Sequence, residues 1–206
     1  MDIPLDVDVQ CVEQVCGKST YVIINPLSKR VTHVVVRELQ FPHGEYMVPV
    51  ELILESTPER IRLRCTDKEL MILDPFIETE YVEGDLDEFG YKKEEYWMWP
   101  YALPESDFVP IEYERTPPGE LAIRRGTHVQ ATDGRVGRVD EFLIDPVSEH
   151  VTHLVLREGH LWGQKDVTIP ISEIDRFEED TVYLRLDKDQ IEALPTVPVR
   201  QRHSRP

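Results

Sequence analysis

A chain of 206 residues with 23 basic and 40 acidic side chains carries a formal charge of −17. That excess argues against a general affinity for nucleic acid or anionic membrane, both of which are negative themselves. No stretch approaches the roughly eighteen apolar residues of a membrane span, and MDIPLDVDVQ lacks the basic-then-apolar order of a signal peptide, so a cytoplasmic protein is expected.

In chain order, Val7–Val12 and Ser19–Asn25 read as strands, and a turn on Pro26 leads to a third, Val31–Arg37. Tyr46–Val50 is a fourth, followed by a short ELILE turn. In Ile61–Cys65, Ile61, Leu63 and Cys65 alternate with Arg62 and Arg64, the period of a half-buried strand. Asp67–Leu73 then reads as a helix with Asp67 as its cap.

The second half retraces the first. INPLSKRVTHVVVRE at 24–38 and IDPVSEHVTHLVLRE at 144–158 share nine of fifteen positions at an offset of 120. Val129–Ala131 precedes Asp133-Gly134, suited to a tight hairpin; Arg135–Asp145, Val151–Arg157, Val167–Ile171 and Val182–Leu186 follow as strands, and Asp187–Leu194 as a closing helix. Cys11, Cys16 and Cys65 have no CxxC spacing and align with Ala131, Val136 and Leu186, so they read as core thiols acting as small hydrophobes. Short strands at this spacing with one terminal helix suggest a small closed or nearly closed barrel in each half.

The V-x-A-T-D-G-R-V-G-R-V run at 129–139, the VTHLVLRE strand and VTIPISEI at 167–174 carry a family resemblance. Each half resembles a PRC-barrel domain, similar to the cytoplasmic barrel of the photosynthetic reaction-centre H subunit and to the C-terminal domain of a small-subunit ribosome-maturation factor. The resemblance covers about two thirds of the chain. It is closer in the second half, since Glu13-Gln14 replaces the Asp-Gly turn in the first. It implies a mainly β protein: two tandem small PRC-type β-barrels, each with a short C-terminal helix, at 1–73 and 122–195. An acidic, aromatic-rich segment (74–121) would join them, and a basic tail (196–206) would follow.

Residues 74–125 hold fourteen acidic and five basic side chains, yet also ten of the seventeen aromatics. Disordered linkers are poor in rings, because each ring left in water forgoes a large burial gain. The stretch EYWMWPYALPE is therefore expected to dock onto a barrel or a partner, making Tyr96, Trp97, Trp99 and Tyr101, with Trp162 of the GHLWGQ loop, candidate interaction residues.

The strands Val31–Arg37 and Val151–Arg157 are apolar on both faces, so both faces should be buried. Val31, His33, Val35, Val151, His153 and Val155 are expected at a contact between the two barrels, related by a pseudo-twofold axis. A structurally satisfied histidine pair is the reading for His33 and His153, with pH sensing as the functional alternative. His150 and His153, at i and i+3 on a strand, would diverge rather than share a metal, and Asp85–Gly90 lacks the ligands of a calcium loop. No nucleophile elbow, P-loop or dinucleotide fingerprint occurs, so no enzyme activity, cofactor or metal is expected. The expected function is a protein-binding adaptor or assembly module with no membrane partner, nucleic acid contacted at most indirectly, and a possible homodimer. The alternatives are an accessory of RNA processing or ribosome maturation, or of photosynthetic electron transport.

Overall fold

Apolar side chains spaced by two build two sheets. In the computed structural model, which describes residues 1–40, 43–83, 108–158, 166–178 and 180–197, the chain opens with β1 (Asp2–Pro4), β2 (Asp8–Gln10), β3 (Val15–Asn25) and β4 (Arg30–Glu38). β5 (Glu45–Pro49), β6 (Ile53–Thr57), β7 (Arg60–Leu63) and the one-turn α1 (Asp67–Leu70) complete the first half. A hairpin of β8 (Ile77–Glu83) and β9 (Phe108–Glu114) follows. The second half comprises β10 (Leu121–Arg124), β11 (His128–Ala131), β12 (Gly134–Ile144), β13 (Val151–Glu158) and β14 (Asp166–Pro170). It ends with β15 (Ile174–Glu178), β16 (Thr181–Leu184), α2 (Lys188–Glu192) and β17 (Thr196–Val197).

The first sheet runs β5-β4-β3-β2-β7-β6 and the second β14-β13-β12-β11-β16-β15, the same order, with β17 added beside β14. Each has one parallel contact, β2 with β7 and β11 with β16. Among the described residues the hydrogen-bonded path of each sheet has two ends, so of the closed or nearly closed barrels expected from strand spacing no fully closed one is formed. β3 and β12, inside these orders, are each eleven residues long. Each spends part of its length pairing with a strand from the other half.

That exchange is reciprocal. β1 pairs antiparallel with β12, setting Asp2, Ile3 and Pro4 opposite Leu143, Phe142 and Glu141. β10 pairs antiparallel with β3, setting Ala122, Ile123 and Arg124 opposite Ile23, Val22 and Tyr21. The two registers coincide at an offset of 120. Ile3 and Ile123 are both fully buried. After each exchanged strand the chain turns through a left-handed residue, Asp6 (φ 62°) or Gly126 (φ 90°), a conformation glycine adopts freely and aspartate tolerates. The amides of these residues donate to Ser19 O and Val139 O, again 120 apart. The halves therefore share one hydrophobic core, from Ile3, Leu5 and Val9 to Phe142, Leu154 and Ile191.

Local details depart from sequence expectation for identifiable reasons. The ELILE turn is a short 3-10 turn (Val50–Leu52) running straight into β6, because Ile53 is needed in the core opposite Leu63. Thr66, not Asp67, caps α1: its hydroxyl accepts from the Glu69 amide and the Glu69 carboxylate accepts from the Thr66 amide. Asp187 does the same for α2 with Gln190. Cys11 and Cys16 are not free thiols but a disulfide with Cα atoms 5.7 Å apart, since they face each other across the neck of the β2–β3 hairpin. Cys65 remains free and buried, and that burial pushes its thiol pKa up.

Residues 77–115 form a separate compact unit. Within it, β8 and β9 pair antiparallel from Ile77 opposite Glu114 to Glu83 opposite Phe108, with Arg115 and Glu78 in an ion pair at 3.5 Å. The DFVPIEY strand expected at 107–113 is β9; its partner β8 was not anticipated. No helix among the described residues is long and apolar enough to cross a membrane.

Candidate functional site

The turns that follow the exchanged strands β1 and β10 line one cavity of about 490 Å³. Its walls carry five arginines: Arg37 on β4, Arg124 on β10, Arg125 in the turn after it, Arg138 on β12 and Arg157 on β13. Asp6, Ser19, Thr20, Tyr21 and Asp140 complete the polar lining. The groove draws on both halves, and Arg37 and Arg157 are equivalent positions at the offset of 120.

The two halves differ here. Asp140, 6% exposed, accepts from Arg125 Nε at 2.7 Å and from Arg157 Nη2 at 3.0 Å. Its equivalent in the first half is Thr20, whose hydroxyl donates to Val35 O instead. Asp6 lies 3.3 Å from Arg125 and corresponds to Gly126. Outside the groove, Glu45 holds Arg37 at 2.5 Å, and the exposed Asp180 lies 3.8 Å from Arg124. Arg138 has no ion-pair partner among the described residues. Five guanidiniums line the groove with two carboxylates, Asp6 and Asp140, while Glu45 and Asp180 pair with Arg37 and Arg124 from outside it.

A second contact joins the halves at the starts of β4 and β13. Arg30 and His150 form an isolated antiparallel bridge, with Val31 N donating to Glu149 O (3.2 Å) and Val151 N to Lys29 O (2.9 Å). Arg30 and Glu149 pair across it, and Lys29 Nζ donates to Ile171 O and Ile174 O. Val31 and Val151 lie at this seam. Val35 and Val155 are buried farther along their strands, and His33 and His153 are half-buried. His33 Nδ1 sits 3.0 Å from Thr32 Oγ1 and 4.0 Å from the Glu120 carboxylate, and no hydrogen bond among the described residues joins it to His153. The main-chain union of the halves is thus carried chiefly by β1 and β10, which sequence periodicity did not single out. Tyr96, Trp97, Trp99, Tyr101 and Trp162 lie outside the described residues.

The first half also exposes apolar side chains that the second does not. Val12, Val15, Leu54, Met71 and Ile72 are exposed, Ile72 to 82%. Their equivalents are the exposed Thr132, Arg135, Asp175, Glu192 and Ala193. Several belong to one end of the first sheet: Val12 N donates to Cys65 O (3.1 Å), and Gln14 Nε2 reaches Asp67 at 3.4 Å, linking the β2–β3 turn to α1. Isolated apolar residues on a surface need no explanation, but an apolar set confined to one of two like folds does.

The arginines were legible as residues but not as a site, since Arg37, Arg124 and Arg157 are far apart in sequence and look like ordinary strand ends. No group of three or more potential metal ligands gathers among the described residues. No curated protein matches the chain. The second half, with its Asp-Gly hairpin, central β12–β13 pair, 3-10 turn and capped one-turn helix, matches the family model of the PRC-barrel domain over residues 125–191, and the chain contains that domain.

Proposed function

We propose that the protein is a non-enzymatic binding module, an adaptor built from two PRC-barrel-like copies of which the first has diverged into a docking surface for another protein. The asymmetry between the copies carries this reading. Val12, Val15 and Met71 stay apolar and exposed where the like positions of the second copy are Thr132, Arg135 and Glu192. The matching strand order and registers of the first half support its reading as a second copy. PRC-barrel membership by itself specifies a fold rather than an activity.

The second copy supplies substitutions that this fold already accommodates. The triple variant Val12→Thr, Val15→Arg, Met71→Glu should keep the wild-type melting temperature within a few degrees, since all three sites are exposed. It should lose a protein that the wild type retains in affinity purification, identified by mass spectrometry. Equal retention of the same partner by wild type and variant would remove the docking surface. Loss on changing Trp97 and Trp99 to Ala would instead place recognition on the aromatic segment.

A further inference from the structure

We propose that the arginine groove beside the turns after the exchanged strands binds a small phosphorylated molecule, a phosphate ester rather than a carboxylic acid. The proposal is independent of the protein-docking surface. It rests on where the guanidiniums sit and on how they are neutralised.

A chain with a surplus of seventeen negative charges would not concentrate five arginines in one cavity by composition alone. Desolvating or crowding like charges costs free energy, and a cationic concavity focuses field onto an incoming anion. The internal partners do not use the five arginines up. Asp140 is shared by Arg125 and Arg157, so one carboxylate serves two cations. Asp6 is itself 64% exposed and also falls to Arg125. Asp180 is 82% exposed and 3.8 Å from Arg124, a weak surface pair. Arg138 has no ion-pair partner among the described residues. Arg37 is held by Glu45 at 2.5 Å from outside the groove, so the charge left for a ligand rests mainly on Arg138 and Arg124.

Ligand shape follows from that distribution. A carboxylate is flat, carries one charge and offers two oxygens, which suits a single guanidinium fork. A phosphate monoester is tetrahedral, carries up to two charges and presents three acceptor oxygens in different directions. Arginines arriving from β4, β10, β12 and β13 around one cavity match the second geometry. The volume of about 490 Å³ is within the range of small-molecule sites and leaves room beyond a phosphate for an organic moiety beside Tyr21 and Thr20.

The test is isothermal titration of the full chain with inorganic pyrophosphate and ADP, against citrate as a carboxylate of comparable charge and a single-stranded oligonucleotide. Pyrophosphate or ADP should bind with a dissociation constant in the micromolar range, and citrate at least about tenfold more weakly. Arg138→Gln, at an exposed position, should weaken phosphate binding about tenfold or more by removing a charge-assisted hydrogen bond, with the unliganded melting temperature unchanged. Asp6→Asn should act in the opposite direction. It keeps a residue that tolerates φ near 62° but releases Arg125, so binding should tighten. A general loss of structure cannot produce that pair of opposite shifts. Absence of binding at millimolar phosphate, equal binding of citrate, indifference to Arg138→Gln, or a marked preference for the oligonucleotide would each overturn the proposal.

Discussion

Two glycines show at the scale of single residues how closely the halves have kept their geometry. A Cβ on Gly17 would lie 2.5 Å from Arg37 O and 2.6 Å from Val36 Cγ1; on Gly137 it would lie 2.5 Å from Arg157 O and 2.8 Å from Leu156 Cδ1. The carbonyl cannot move without breaking the ladder between β3 and β4, or between β12 and β13. Gly17→Ala and Gly137→Ala should each therefore cost about 1–3 kcal/mol in chemical denaturation, the range for overpacking. A second residue-scale device is the turn that begins each matched hairpin. Asn25 Oδ1 accepts from the amides of Leu27 and Ser28, and Asp145 Oδ1 from those of Val147 and Ser148. Those backbone donors hold the Asp145 carboxyl below its ordinary value of 3.8. A depressed carboxyl contributes stability that is fully present above pH 3.8 and is lost as pH falls through the folded value. Asp145→Asn, which copies the first half, should keep the turn but melt with a shallower dependence on pH below about 3.8. Thermal melts of both proteins from pH 7 to pH 3 would check this, and parallel curves would refute it.

At the scale of elements, the exchanged strands matter out of proportion to their length. β1 has three residues and β10 four, yet each inserts a fully buried isoleucine into the opposite half. Ile3→Ala and Ile123→Ala should each destabilise by about 2–5 kcal/mol, the usual range for truncating a buried aliphatic side chain. Because the core is continuous between the halves, each variant should still unfold in one transition, at a lower denaturant midpoint. Two separate transitions would show that the halves are independent. The strands around Leu63 and Leu184 were legible because one side chain in two had to be buried, and those around Val34 and Leu154 because both faces are apolar. β1 was not, for DIP offers too few residues to display a period. β6 was misread as a turn because Leu54 and Glu55 are exposed on a short strand whose core contribution is Ile53.

At the scale of the whole molecule, the reciprocal pairing resembles two copies of one chain that have exchanged their leading strands and become fused. Residues 116–206 made alone would carry β10 together with a β12 whose outer edge lacks β1. β10 of one copy could take that position on the other, with Ile123 where Ile3 now lies, since the two registers coincide. This fragment should therefore be a homodimer in light scattering coupled to size exclusion, and Ile123→Asp should shift it to monomer or unfold it. A well-folded monomer at all concentrations would contradict the exchange. The acidic groove-bearing chain also predicts salt dependence: phosphate affinity should fall as ionic strength rises, because the arginines lie at an open surface.

What the sequence determined unaided is local or repetitive: the repeated stretch, most strand positions, a short helix closing each half, and the mainly β character. Each depends on interactions among residues within a few positions of each other, or on the period of two that a half-buried strand imposes. Only the tertiary structure decided which strand completes which sheet, that Cys11 meets Cys16, and that Arg37, Arg124, Arg125, Arg138 and Arg157 share one cavity. The strand exchange and the groove depend on pairings between residues far apart in the chain, as between Ile3 and Phe142. Both halves present nearly the same edge to a leading strand, so local pattern cannot choose between pairing within a half and pairing across. The short left-handed turns at Asp6 and Gly126, and the core the halves share, make that choice.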